Sequence, residues 1–376
     1  MPALLPDVDP DGLLEYSVVY TDRALNHMSR RFQQTMTGLS AMLRRVYNAD
    51  AAVVVPGSGT FGMEAVARQF AADRNCLVLR NGFFSYRWSQ IFEMGRIPEV
   101  TTVLKARPTG NEPLSPFEPA PIGEVVASIE EERPDLVFAP HVETSSGMIL
   151  PDDYLKDVGS AVHASGGLFV LDCIASGAVW VDMKALGVDV LISAPQKGWS
   201  GTPCCALVML SERAMGAMEA TSSSSFACDL KKWHEIMQAY EAGGHAYHAT
   251  MPTDGLSTLY RVMMETEAMG FDRAKTAQQE LGRRIRRLLA ERGIQSVAAP
   301  GYEAPGVVVA YTDDEEVKTG RRFAEAGVQI AAGVPLMCDE PPGFQTFRIG
   351  LFGLDKLKDV DQAVARFQAA LDQVGL

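Results

Sequence analysis

A chain of 376 residues, 47% of them hydrophobic and 22% charged, has room for one large domain and a smaller one, in the proportions of an ordinary soluble globular protein. Its formal net charge of −13, with no lysine- and arginine-rich patch interleaved with aromatics, argues against nucleic acid as a partner. No apolar run approaches the roughly 20 residues of a membrane-spanning helix, so the membrane is set aside as well.

The opening stretch, MPALLPDVDPDGLLEY, is acidic and proline-rich, unlike a cationic signal peptide. Residues 29–47 carry apolar positions at helical spacing. AAVVV (51–55) reads as a strand and 60–71 as a helix. CLVLRNG (76–82) is a second strand running into a turn, followed by a helix over FFSYRWSQIFEMG (83–95). DLVFAPH (135–141), GLFVLDC (167–173), VDVLISAPQKG (188–198) and CCALVML (204–210) continue the series of short apolar runs. Uniformly apolar strands alternating with amphipathic helices predict an α/β fold whose mainly parallel sheet is covered on both faces. From 256 to 293 the pattern becomes one or two long helices. The basic run Arg283, Arg284, Arg286 and Arg287 falls there and reads as a solvated or partner-facing surface. GVVVAYT (306–312), GVQIAAG (327–333) and TFRIGLFG (346–353) then predict a smaller α+β domain. The expected division is an N-terminal segment over 1–24, a large domain over 25–270 and a small C-terminal domain over 271–376. Six cysteines without C-x-x-C spacing read as reduced thiols of a cytoplasmic enzyme.

Gly57, Gly59 and Gly62 have the spacing G-x-G-x-x-G between a strand and a helix. Glycines let the backbone approach an anion, and the free N–H groups of a helix N-terminus bind it, so the turn predicts a phosphate site. A dinucleotide would need an acidic residue at the end of the second strand to hold its ribose. That strand ends in Arg80, Asn81 and Gly82, and Pro56 stands between the first strand and Gly57, which argues against a dinucleotide. Asp172 at the end of GLFVLD and Lys197, 25 residues later in ISAPQKG, offer another cofactor. A lysine amine can hold an aldehyde as a Schiff base, and a buried carboxylate keeps a pyridine nitrogen protonated so that the ring draws electrons. With a phosphate cradle at Ser58, Gly59 and Thr60, these residues suit pyridoxal 5'-phosphate.

GSGTFGMEA, RNGFFSYRW, HVETSSGMILP, VLDCIASGAVWVDMKALGVDVLISAPQKG, AYHATMPTDGL and FRIGLFG occur in that order. From about residue 25 to 360 the chain thereby resembles the class V, fold-type I aminotransferases, within them the alanine–glyoxylate and serine–pyruvate group. The resemblance implies a pyridoxal-phosphate-dependent transaminase. It would move the amino group of a small amino acid, of alanine or serine type, to a 2-oxo acid such as glyoxylate or pyruvate. Lys197 would hold the cofactor aldehyde and move the substrate proton, and Asp172 would pair with the ring nitrogen. Ser58, Gly59, Thr60 and Gln196 would bind the phosphate. Thr144 would lie near the phenolic oxygen, with Phe84 and Ile174 on the two ring faces. Tyr247 and Thr250 match positions that reach the phosphate of the neighbouring subunit, which implies a homodimer with shared sites. Arg348 matches the arginine that holds the substrate carboxylate, where a planar fork binds it bidentately. No metal is implied.

Two features depart from the family pattern. EYSVVYTDRALNHMS replaces the usual Gly/Pro-rich opening and places Tyr20, Arg23 or Asn26 as candidates at the substrate entrance, and Pro195 precedes Gln196 where a small or hydroxyl residue is common. The alternatives inside the superfamily are a 2-aminoethylphosphonate–pyruvate transaminase and a cysteine desulfurase or lyase. A desulfurase would carry a histidine before the lysine and over the ring, where this chain has Gln196 and Phe83-Phe84, so Cys338 reads as a bystander. A non-catalytic regulator would not need Lys197, Asp172 and Arg348 together.

Overall fold

The computed structural model describes residues 8–10 and 12–376, so much of the acidic, proline-rich opening lies outside the described residues. The helix predicted over 29–47 is α1 (Arg30–Tyr47), started by the Ser29 side chain, which accepts a hydrogen bond from Phe32 N. Seven strands follow in the main sheet: β1 (Ala51–Pro56), β2 (Asn75–Arg80), β3 (Val100–Lys105), β4 (Leu136–Pro140), β5 (Leu168–Asp172), β6 (Val190–Ser193) and β7 (Cys205–Leu210). Their spatial order is β1-β7-β6-β5-β4-β2-β3. β7 runs antiparallel to both β1 and β6, and the other pairs are parallel, so six strands point the same way. The mainly parallel α/β sheet read from the sequence is the fold observed.

The central strands are buried on both faces, which is why they read as unbroken apolar runs rather than as alternating ones. Helices α2 (Gly59–Phe70), α3 (Phe83–Gly95), α4 (Ile122–Glu132) and α5 (Asp152–Ser165) connect them. A helix that the sequence reading leaves unassigned, α6 (Leu230–Glu241), buries Leu230, Trp233, Ile236, Met237 and Tyr240. The run 188–198 is shorter as a strand than it reads. The ladder covers Val190–Ser193, and Pro195, which has no N–H to donate, begins the turn that carries Lys197.

Helices α7 (Thr253–Met269) and α8 (Phe271–Ala290) meet at Gly270, after which α8 packs on a three-stranded sheet. That sheet comprises β8 (Val307–Tyr311), β9 (Ala331–Ala332) and β10 (Thr346–Gly350), with β10 in the middle, and is backed by α9 (Val360–Val374). GVQIAAG contributes only the two-residue β9, which pairs Ala331 with Arg348. One apolar cluster runs from Leu25 to Met263 under the main sheet, and another joins Leu281, Ile285, Phe323, Phe347 and Leu371. The six cysteines are all free and buried.

The three motif glycines do three different things. Gly57 adopts φ +122, a turn conformation that L side chains rarely take. A Cβ on Gly59 would lie 2.7 Å from Ile174 Cδ1, and one on Gly62 would lie 2.4 Å from Ala206 Cβ, between α2 and the sheet. Gly62→Ala should therefore lower stability by about 1–3 kcal/mol through overpacking, although alanine is the better helix former. Gly216 lies in the helix Glu212–Glu219, where a methyl group would meet only open space, and Gly216→Ala should raise stability by about 0.5–1 kcal/mol. Urea unfolding of both variants checks the opposite signs.

Candidate active site

Because β1, β2, β4, β5 and β6 point the same way, the segments leaving their carboxyl ends gather along one edge of the sheet, the usual place for a ligand in an open α/β fold. They are the Gly57–Thr60 turn, the start of α3, the turn 141–147, Asp172 and the Lys197 turn.

Among the helices that begin on this edge, α2 and α3 carry Thr60 and Phe84 into the site, and their N-termini are treated differently. At α3, Phe83 N donates to Ser145 Oγ at 2.8 Å, Phe84 N to Glu143 Oε1 at 3.2 Å and Ser85 N to Glu143 Oε2 at 2.8 Å. Ser85 Oγ, Ser145 Oγ and Ser145 N also donate to the Glu143 carboxylate, at 2.8, 2.8 and 3.0 Å. A buried carboxylate thus answers the unpaired amides and the positive end of that helix from within the chain. Gly82 allows the approach, since a Cβ there would lie 2.0 Å from Ser145 Oγ. At α2, by contrast, the Ser58 side chain caps none of the helix amides. Without a side-chain cap, this N-terminus suits an anion.

Around it stand the remaining charges. Asp172 is buried, and its Oδ1 accepts from Ile174 N at 2.9 Å. Burial raises its carboxyl to about 6, against the lowering effects of the Ile174 amide, Lys197 and Arg87. Burial lowers the pKa of Lys197, while the charges of Asp172 and Glu143 oppose that shift and Arg348 and Arg87 add to it. Lys197 Nζ lies 5.9 Å from the centre of the Phe84 ring and 6.0 Å from that of Phe352. The Arg348 guanidinium lies 5.4 Å from the same Phe84 ring, and that of Arg87 5.2 Å. Arg348 sits on the central strand β10 and is held by Nε donating to Ala332 O at 2.7 Å. Burial lowers its pKa.

The fold therefore gathers Ser58, Gly59, Thr60, Phe84, Asp172, Ile174, Lys197 and Arg348 at one place, with Phe84 rather than Phe83 facing the lysine. Thr144 is buried in the turn between Glu143 and Ser145. Gln196 is exposed beside Lys197. Tyr247 and Thr250 are exposed, and their hydroxyls lie 3.1 Å apart. Of the entrance candidates, Tyr20 donates to Met251 O at 3.2 Å and the Asn26 amide to Glu15 Oε2 at 2.7 Å, so both tie the N-terminal segment down; Arg23 is exposed. Cys338 is buried with its thiol pushed up to about 12, so it offers no thiolate near neutral pH. Sequence reasoning missed Arg87 and Phe352. The signal for Arg87 was its position three residues after Phe84, on the same helix face; Phe352 lay in the motif FRIGLFG without a role.

The sequence matches the family model described as Aminotransferase class-V over residues 13–361. Among relatives, the small subunit of the soluble hydrogenase of Synechococcus sp. is 28% identical, over 93% of this chain and 88% of its own. The 2-aminoethylphosphonate–pyruvate transaminase 1 of Burkholderia lata is also 28% identical, over 92% and 89% respectively. The crystal structure of an alanine–glyoxylate aminotransferase from Nostoc sp. superposes with a TM-score of 0.79 at 22% identity, covering 93% of this chain and 89% of that one, a likeness of fold.

The carboxyl of Asp172 titrates near 3.8 when unfolded and near 6 when folded. A carboxyl raised in the fold adds stability that is fully present below the unfolded value and is lost as pH rises through the folded one. Cofactor-free Asp172→Asn should therefore exceed the cofactor-free parent by about 3 kcal/mol above pH 7, the gap closing toward pH 4. Urea unfolding of both proteins across that range checks it; a gap independent of pH would remove Asp172 as the titrating group.

Proposed function

Since the chain belongs to the class-V aminotransferases and is therefore a pyridoxal-phosphate-dependent transaminase, we propose that its donor is a small amino acid of alanine or serine type and its acceptor a 2-oxo acid such as glyoxylate or pyruvate. The observation that carries this reading is the convergence of Lys197 and Arg348 on the Phe84 ring, a base and a carboxylate reader within one small site. The residues suit the cofactor on physical grounds. An uncapped helix N-terminus awaits a phosphate, and Asp172, buried and raised to about 6, awaits a cationic partner that would restore its charge.

When bound, pyridoxal phosphate supplies an aldehyde that takes up an amine and a ring that draws electrons from the substrate carbon. Ser58, Gly59, Thr60 and Gln196 would hold its phosphate, Asp172 its ring nitrogen and Thr144 its phenolic oxygen, with Phe84 and Ile174 against the ring faces. Lys197 is the base: burial lowers its pKa, which enlarges the neutral share of Nζ available to take the proton from the substrate Cα and return it. Arg348 orients the substrate by its carboxylate. A phosphonate suits the same fork, and the likeness to the Burkholderia lata enzyme favours 2-aminoethylphosphonate as the second reading for the donor. Mixing the loaded enzyme with a panel of amino acids and with 2-aminoethylphosphonate, and following the cofactor absorbance, separates the two.

Tyr247 and Thr250, exposed and turned to one another, supply the phosphate site of a second copy in this reading, so the working unit is a homodimer with shared sites. The six free, buried thiols suit the cytoplasm. The division near residue 270 is kept as large and small domains, because one apolar core ends at Met263 and a second gathers mostly residues after 270, with a third cluster, including Phe117, Met148, Val307 and Tyr311, joining the two.

Lys197→Ala should abolish transamination and the absorbance band that arises from the cofactor's bond to the lysine; an unchanged spectrum would refute its role. Arg348→Ala should cost on the order of 2–4 kcal/mol in kcat/KM for alanine or serine, roughly 30- to 1,000-fold, with little effect on cofactor affinity. Tyr247→Phe with Thr250→Ala should weaken cofactor binding. Mixed with Lys197→Ala and re-equilibrated, it should regain activity, because one site of the heterodimer then carries neither lesion. No recovery in a mixture shown to contain heterodimers would mean that the sites are not shared.

A further inference from the structure

Arg87 is half-buried in the second turn of α3, on the face that carries Phe84. Its guanidinium lies 5.2 Å from the centre of the Phe84 ring, and its Nη1 donates to Thr60 Oγ1 at 3.0 Å. Among the described residues no carboxylate comes within the 4.0 Å of an ion pair with it. An arginine held against a ring and bonded to a neutral hydroxyl, with no carboxylate in ion-pair contact, is suited to meet an anion.

The bond to Thr60 also has a direction. A guanidinium only donates, so the Thr60 oxygen must accept, and the single hydroxyl proton is turned away from Arg87 and left for another acceptor. Thr60 is the second residue of α2, whose amino end carries no side-chain cap. The hydroxyl proton and the open amides are thus presented from one helix turn, with a fixed positive charge behind them. We infer that Arg87 is the positioning residue of the phosphate subsite: it fixes Thr60 as a donor toward the cofactor phosphate and supplies the charge that this phosphate meets. The inference rests on the reading that Ser58, Gly59 and Thr60 hold that phosphate. The charge of Arg87 also acts on Asp172 and on Lys197, so its field reaches the centre of the site.

The test compares two probes on the cofactor-free protein, pyridoxal phosphate and pyridoxal, which differ only in the phosphate. Affinities are read from quenching of tryptophan fluorescence, and the bound phosphate is titrated by phosphorus NMR. Arg87→Gln should weaken pyridoxal phosphate roughly 10- to 100-fold and pyridoxal less than about 3-fold. It should also raise the pH at which the bound phosphate takes a proton. In a Thr60→Val background the same change should cost less than the two single losses combined, because the residues act through one bond. Equal loss for both probes, no loss, or strict additivity with Thr60→Val would overturn the role. Should Arg87→Gln fail to fold, Arg87→Lys, which keeps the charge and loses the fork, carries the same comparison with a smaller loss. If Ser58→Ala and Thr60→Val leave the preference for pyridoxal phosphate over pyridoxal unchanged, the phosphate reading itself falls; if they lower it and the Arg87 variants do not, only the role of Arg87 falls.

Discussion

The Glu143 carboxylate is the constraint on which the site depends. The N-termini of α2 and α3 meet in the site, and each presents unpaired amides and the positive end of a helix dipole. Glu143 and Ser145 take up the amides of Phe83, Phe84 and Ser85, which fastens the start of α3 to the turn after β4. With that end answered internally, the end of α2 at Ser58 is the one of the two without a side-chain cap. The same fastening sets the direction in which the first two turns of α3 present their side chains. Phe84 and Arg87 face Lys197, Arg348 and Thr60 because the backbone below them is tied at several points.

The electrostatics of the site set burial against charge. Burial opposes the charge on Asp172 and on Lys197, and each eases the other only in part. Arg348 and Arg87 add positive charge around Phe84, while Glu143 is already engaged by backbone and serine donors. In the proposed reading, a ligand that brings a protonated ring nitrogen to Asp172 and a phosphate to the α2 end would ease both. Binding is thereby linked to stability, since whatever binds only the folded state stabilises it.

Much of this was legible in the chain. Strands buried on both faces must be apolar at every position, so AAVVV, GLFVLD and CCALVML announced a sheet covered on both faces, which β1, β5 and β7 form; the apolar pattern did not show that β7 runs antiparallel to its two neighbours. The turn with Gly57, Gly59 and Gly62 is equally local, since the φ of +122 at Gly57 and the close approaches at Gly59 and Gly62 leave no room for a side chain. Asp172 and Lys197 stood out because a carboxylate and an amine at strand ends are chemically conspicuous. Helix α6 carried its apolar spacing openly at Leu230, Trp233, Ile236, Met237 and Tyr240, yet it lay outside the alternating series of strands and helices that signalled the sheet.

Sequence by itself determined the elements and the kinds of chemistry available, because burial, turn geometry and side-chain acidity act over a few residues. Only the tertiary structure decided which residues act together. That Glu143 closes one helix end and leaves another open depends on contacts across 58 and 59 residues of chain. That Arg348 reaches the ring of Phe84 depends on the small sheet docking beside the large one. Arg87 shows the difference most directly. In the chain it is one arginine of a helix face, and its meaning lies in a 3.0 Å bond to a threonine 27 residues earlier, which no local pattern encodes.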